Sequence, residues 1–373
     1  MKKFLFASAL ALVTALAFVG CSKDDEDKGT PSPAPSQDKY TGGFYVVNEG
    51  SFGHTPASIN YYTPDGGWTL NLFQTNNPDE TLGNTGSMAV YSDDFLYVVT
   101  KETPYLTEIG FDDFLKRSSL PEGELSSQAR ALALIDDSHG VLTTGAGAYS
   151  VTLNPVKLGS AFYEGRDLWG DVCVKNGYIF MTTTANAEHK IKVYNAQTLE
   201  SVKELSAATT GFAEVGGYLW AANGNKLVKI DMSTLTDEEL TLSDGLSVYY
   251  NKWAYTPSAL SVSKEGNALF FLSDVGGSGT DVYKYSVATN TAEKFFAAPE
   301  TYSVYGKGLN VDPKTGDLYL FYTSDWGANI TIYVVDGKTG EQKNTIAYTD
   351  TSYWYPSMVI FGNDAKSGWW HKM

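Results

Sequence analysis

The chain of 373 residues is 43% hydrophobic and 14% aromatic, with a formal net charge of −16. That is ample apolar material for a large core, while so acidic a surface repels phosphate backbones and argues against nucleic acid as a partner. Only Cys21 and Cys173 are present.

The first element in chain order is a processing segment. Lys2 and Lys3 form a positive start, and Leu5 to Val19 an uncharged apolar run. That run falls short of the roughly 20 apolar residues a membrane span needs. It ends at Val19-Gly20-Cys21, which resembles a bacterial lipoprotein cleavage site, although Phe18 stands where Leu is usual. Residues 1–20 are therefore read as a signal peptide and Cys21 as the lipidation site; an ordinary signal with an incidental cysteine is the alternative. With Cys21 lipidated, Cys173 has no disulfide partner. Its setting, Asp171-Val172-Cys173-Val174, reads as a strand holding a buried, inert thiol.

Residues 21–42 follow as a lipidated cysteine and tether. The run Asp24-Asp25-Glu26-Asp27 and the Pro/Ser-rich stretch behind it hold too little apolar surface to fold. Extended, residues 22–40 reach roughly 60 Å from a bilayer. The acidic run resembles the surface-export signal of lipoproteins in some Gram-negative bacteria; a solubilising linker is the plainer reading. Both are compatible with an outer-membrane, lipid-anchored location, and the first adds surface exposure.

From residue 43 to 373 short β-branched and aromatic runs alternate with Gly, Asn and Asp turns. Ser87 to Asp94, Phe95 to Val99 and Leu106 to Ile109 form one unit, which returns at Val172 to Tyr194 and at Phe212 to Ile230. Further copies begin near Ala131, Ala259 and Gly308. Their spacing suits propeller blades of four strands, a to d, each burying both faces against its neighbours. Ser357 to Asp364 repeats the blade-opening Ser87 segment, yet the chain soon stops; the missing strands stand at the start, at Gly43 to Val47, Ser58 to Tyr62 and Trp68 to Leu70. The expectation is an all-β, seven-bladed β-propeller whose closing blade is built from both termini, with a linear β-solenoid as the alternative.

The a–b and c–d connections read as tight turns, among them Lys175-Asn176-Gly177, Val215-Gly216-Gly217 and Asp336 to Gly340. Calcium loops are a sharper reading of the Asp-rich ones, but no EF-hand spacing is present. The b–c and d–a connections are expected to be long and to share one face. They carry the candidate ligand-binding residues: Phe52 and His54, Trp169, Tyr250, Trp253 and Tyr255, Tyr302 and Tyr305, Trp326, Tyr353 and Trp354. Rigid amphipathic rings in several loops favour a broad ligand, although any one of them could pack beneath its own loop.

No catalytic constellation stands out. The four histidines, His54, His139, His189 and His371, lack zinc-ligand spacing. Nucleophile elbows and P-loops are missing, and Gly145-Ala146-Gly147 opens no helix. His139 reads as part of a turn, Asp137-Ser138-His139-Gly140. The chain is expected to be a binder rather than an enzyme, without a resident metal or cofactor.

The opening Phe44-Tyr45-Val46-Val47-Asn48-Glu49-Gly50-Ser51-Phe52-Gly53, followed by Ser58-Ile59-Asn60-Tyr61-Tyr62, resembles the start of a group of propeller lipoproteins. These accompany TonB-dependent vitamin B12 transporters at the cell surface. The resemblance covers essentially the whole mature chain, with the later blades matching as generic repeats. It implies a seven-bladed propeller that captures a corrinoid, cobalamin or cobinamide, as cargo and passes it to the transporter barrel. It transfers no individual contact residue. A glycan-binding surface lipoprotein and a protein-docking scaffold are the competing expectations.

Overall fold

The structure is a computed structural model. It describes residues 40, 42–92, 94–165, 170–183, 190–243, 245–251, 254, 260–324, 329–348 and 355–361. Outside these lie the signal segment, Cys21 and the tether, and also Trp169, Trp253, Tyr255, Trp326, Tyr353 and Trp354.

The described residues form seven four-stranded antiparallel sheets and one short helix, Leu72–Asn76. The innermost strands of blades 1 to 6 are Gly86–Tyr91, Ala129–Leu134, Val172–Lys175, Ala213–Val215, Ser261–Val262 and Leu309–Val311. Blade 7 joins the two ends of the chain: Pro356–Ile360 is innermost, then Phe44–Asn48, Ser58–Tyr62 and Trp68–Thr69. Val46 pairs with Val359 and Val47 with Met358. The split blade expected from the sequence is thus present, and it removes two open sheet edges.

Burial explains the sequence pattern. Gly86–Tyr91 is buried throughout and Phe95–Thr100 nearly so, because neighbouring blades cover both faces. The outermost strands Ser201–Ala207 and Thr236–Thr241 are largely exposed and rich in charge. Continuous apolar runs therefore mark inner strands and Lys/Glu runs mark outer ones.

An innermost strand pairs on one side only, so its other edge must find partners elsewhere. Side chains of the preceding blade supply several. Ala89 N–H of blade 1 donates to Met358 Sδ of blade 7 at 3.0 Å, and Leu132 N–H of blade 2 to Met88 Sδ at 3.3 Å. Ser261 Oγ donates to Leu309 O at 3.1 Å, and Val359 N–H to Asn310 Oδ1 at 3.2 Å. Ser87-Met88 and Ser357-Met358 are thus equivalent in position and in task. Further out, Asn48 Oδ1 accepts the Tyr348 hydroxyl at 2.7 Å, Asn60 also bonds that hydroxyl, and Trp68 packs on Tyr348 with centroids 4.7 Å apart. These contacts fasten blade 7 to blade 6.

Antiparallel order places every d–a and b–c connection at one end of the ring and every a–b and c–d turn at the other. At the turn end one design recurs: the fifth residue's N–H returns to the first residue's carbonyl, as in Asn195 to Leu199, Asp312 to Gly316 and Asp336 to Gly340. Asn195, Asp312 and Asp336 use Oδ1 to accept backbone N–H groups within the turn, the chemistry that selects Asx residues there. Among the described residues no cluster of three or more metal-ligating side chains occurs.

Two details differ from the sequence reading. The b–c connections are not uniformly long: Thr144 to Gly147, Asn223 to Lys226 and Val275 to Ser278 are tight hairpins. Gly224, Gly276 and Gly277, all at positive φ, close the latter two. Among the described residues, the longer connections on the loop face are the d–a segments and the b–c segments 49–57 of blade 7 and 101–105 of blade 1. His139 does not sit in the turn but opens the strand His139–Thr144, its Nδ1 2.9 Å from Asp136 Oδ1. Cys173 is buried, as expected, and burial pushes its thiol well up, away from the reactive thiolate.

Candidate loop-face binding site

The d–a connections are held by strand-like pairing to the blades beside them. Before blade 5, Tyr249 N–H donates to Leu272 O and Val248 N–H to Gly224 O. Before blade 6, Ser303 and Thr323 exchange both backbone hydrogen bonds, and Val304 N–H donates to Gly279 O. Both segments read Ser-Val-Tyr, at 247–249 and 303–305. The repeat fixes one tyrosine per loop. Tyr249 is buried over Gly279, where any side chain would strike its ring, and Tyr305 turns toward Glu49.

Glu49 organises the mouth of the ring. Its N–H donates to Tyr355 O at 2.9 Å, its carbonyl accepts Gly86 N–H at 2.7 Å, and its carboxylate accepts the Tyr305 hydroxyl at 3.3 Å. Gly50 follows at φ 81, with its Cα hydrogens against the carbonyls of Thr55 and Pro56; a Cβ would lie 2.4 Å from Thr55 O. Glycine is required there by both φ and space. The Asn-Glu-Gly of the opening motif thus divides its work: Asn48 fastens the seam, Glu49 faces the ring mouth, and Gly50 permits the fold-back.

Charged side chains converge behind Glu49. Lys101 is 5% and Arg130 3% exposed, and the Lys101 ammonium lies 3.4 Å from the centroid of the Phe52 ring. Burial, with Arg130 adding repulsion, holds the Lys101 amine below its usual range against the opposing pull of Glu102 and Glu49. Asp171 of blade 3 and Lys307 of blade 6 are buried and interact electrostatically; burial pushes Asp171 up and Lys307 down. Arg130 of blade 2 likewise acts on Tyr250, before blade 5. Blades this far apart in the ring meet only around its axis, so these groups line the axial mouth on the loop face.

Five of the eleven sequence candidates fall within the described residues. Tyr305 and Tyr250 belong to the axial mouth. Phe52 is 57% exposed above Lys101, and His54 is exposed in the same connection. Tyr302 is half-buried and packs against the apolar cluster of blades 5 and 6. Sequence reasoning missed Glu49, Lys101, Arg130, Asp171 and Lys307. The Ser-Val-Tyr repeat was the available signal for the tyrosine scaffold; the charges carried none, since each stands in or beside the end of a strand like any solvated charge.

The model of a family described as a domain of unknown function (DUF5074) matches residues 42–362. The chain belongs to that family. No curated protein matches it in sequence. Among solved structures it is similar to a quinoprotein alcohol dehydrogenase-like protein from Bacteroides thetaiotaomicron. Identity is 18% over 86% of this chain and 78% of that one, with a TM-score of 0.67. It is also similar to the dihydro-heme d1 dehydrogenase NirN in complex with DHE, at 10% identity over 87% and 76% of the two chains and a TM-score of 0.55. Apo AztD from Citrobacter koseri matches at 12% identity over 83% of each chain, with a TM-score of 0.52. At these identities the likeness is one of fold.

Proposed function

We propose that this chain is a lipid-anchored outer-membrane surface protein whose loop face binds a corrinoid and hands it to a TonB-dependent transporter. The observation that carries the reading is the convergence of tyrosines and charged groups from blades 2, 3, 5, 6 and 7 on one axial mouth, framed by the opening motif. A corrin ring is broad, apolar on its faces and edged with amides and methyl groups. Aromatic faces flanked by hydroxyl, carboxylate and ammonium groups complement that mixture. A mouth fixed by paired backbone loses little freedom on binding. The cobalt travels inside its own macrocycle, so the protein acts as a carrier and contributes no metal ligand or reaction step.

The test uses the colour of the ligand. The mature domain is mixed with cyanocobalamin and desalted, and cobinamide is titrated calorimetrically. The reading predicts a red protein fraction and measurable heat. A colourless fraction with no heat for cobinamide overturns it. Metabolic palmitate labelling tests the anchor: label is expected on the wild-type chain and lost in Cys21→Ala.

A further inference from the structure

Beside Glu49, the connection entering blade 1 is zipped to the b–c connection of that blade. Gly86 pairs with Thr100 at the end of the ladder. Beyond it, Lys101 N–H donates to Thr85 O at 2.8 Å and Glu102 N–H to Asn84 O at 3.3 Å. On the other side Asn84 bridges to Pro56 of blade 7, so Thr85 and Lys101 stand opposite each other on fixed backbone. In blade 2, Ala129 pairs with Thr144 and Ala131 with Thr143, which leaves Arg130 as the extra residue of a bulge. A bulge re-aims the side chain it carries, and here the Arg130 charge acts on Lys101. One hydroxyl and two cations thus share a corner of the axial mouth.

Three features of this corner point to an absent oxygen ligand. Thr85 is 1% exposed, and its hydroxyl has no hydrogen-bond partner among the described residues. A buried hydroxyl in that state is rare, because desolvation without a bond is costly. Lys101 and Arg130 are like charges buried together, and the carboxylates that attract Lys101 also serve other donors. Glu49 accepts the Tyr305 hydroxyl at 3.3 Å, and Glu102 accepts Asn84 Nδ2 at 3.1 Å. Finally, the Lys101 ammonium faces the Phe52 ring, a weaker partner than an anion. That ring is exposed on a short hairpin, Ser51 to Thr55, with Gly50 and Gly53 on either side of it at positive φ. It covers the cation from outside and is displaceable without disturbing a blade.

We infer that this corner is the oxyanion subsite of the axial mouth. A phosphate group of the ligand displaces the Phe52 ring and accepts hydrogen bonds from the Lys101 ammonium and the Thr85 hydroxyl. Arg130 adds attraction from behind. The identity of the carrier rests on the proposed function: a complete corrinoid holds a phosphodiester between its macrocycle and its terminal base, and cobinamide ends short of it. Thr85, Lys101 and Arg130 are then the residues that let the protein tell the two apart.

The experiment measures cobalamin and cobinamide affinities for wild type, Lys101→Met and Thr85→Val, with and without inorganic phosphate at constant ionic strength. Phosphate alone is also titrated calorimetrically against wild type. Thr85→Val keeps the shape of the side chain in case Lys101→Met fails to fold, and the phosphate competition needs no variant. The inference predicts at least tenfold tighter binding of cobalamin, and competition by phosphate against cobalamin but not against cobinamide. The ratio should fall at least threefold in Thr85→Val and to near one in Lys101→Met. Equal wild-type affinities without phosphate competition overturn the subsite while leaving the corrinoid reading in place. Heat from phosphate with no affinity for either corrinoid supports the subsite and overturns its carrier. A preference that survives in both variants removes this corner as its source.

Discussion

The two ends of this propeller solve the same problem, turning the chain between strands, in opposite ways. At the turn end Asn176, Gly177, Gly216, Gly217 and Asn290 fill left-handed positions alongside the bulkier Phe114, Leu199 and Leu235, and the Asx side chains complete local hydrogen bonds. At the loop end Thr85, Thr301 and Tyr355 occupy left-handed positions, and charged groups are buried around the axis. A β-branched or aromatic residue at positive φ and a buried charge both cost stability. One end is closed by local turns, whereas the other gathers buried charges around the axis where a ligand is proposed to bind. Charge clustered at the axis, and not backbone strain, thus separates scaffold from site.

The comparison can be broken most forcefully at the buried charges. Asp171→Asn removes the carboxylate that the buried Lys307 ammonium faces. It should lower unfolding stability by about 3–5 kcal/mol, measured by urea denaturation. Asp171→Asn with Lys307→Met should recover part of that loss. A cost below about 1 kcal/mol for the single substitution would mean that the pair is not electrostatically important.

The same pair predicts a pH dependence with a definite sign. Burial raises the folded pKa of Asp171 above its unfolded value, while Lys307 opposes the rise. The contribution of Asp171 is therefore full below the unfolded carboxylate range, about 3.9, and is lost as pH climbs through the folded value. Lys307 is depressed and runs the other way: its contribution is present above its unfolded range and lost as pH falls. Lys307→Met removes this opposition. Its stability should fall between pH 5 and 8 by up to about 1.4 kcal/mol per pH unit, more steeply than that of wild type. Parallel melting profiles for the two proteins would contradict the assignment.

A finer cut addresses the opening motif. Glu49→Gln keeps the shape and removes the charge that orders Tyr305 and attracts Lys101. Corrinoid affinity should weaken about tenfold, equivalent to about 1.4 kcal/mol, in a titration that leaves the melting curve nearly in place. The smallest effect belongs to the turn end. Gly217 sits at φ 81 with open space around its missing side chain, so Gly217→Ala should cost about 1 kcal/mol through backbone strain alone. Corrinoid affinity should not change, and a change would blur the division between the ends.

Much of the architecture was legible in the residues because a propeller repeats itself. Ser87-Met88 and Ser357-Met358 announce equivalent innermost strands, and the structure gives both methionines the same contact with the next blade. Asn-Gly and Gly-Gly mark hairpins through backbone preference, a local property that sequence displays directly. The site was legible only in outline. Tyr305 and Tyr250 could be suspected as loop aromatics, but Tyr302, equally aromatic, turns into a core cluster instead. Asp171 and Lys307 are 136 positions apart and follow no motif; ring closure alone brings them together. The uniform length expected of the b–c connections failed where glycine at positive φ permits a tight hairpin at Gly224 and at Gly276-Gly277.

The most direct test of the account is a hydrogen-exchange footprint of the mature domain with and without saturating cobinamide. Binding at the ornate end predicts added protection in residues 49–57 and 303–308, with residues 175–178 and 215–218 at the opposite end unchanged. Protection confined to the tight turns, or none at all under conditions where the corrinoid is bound, would contradict it.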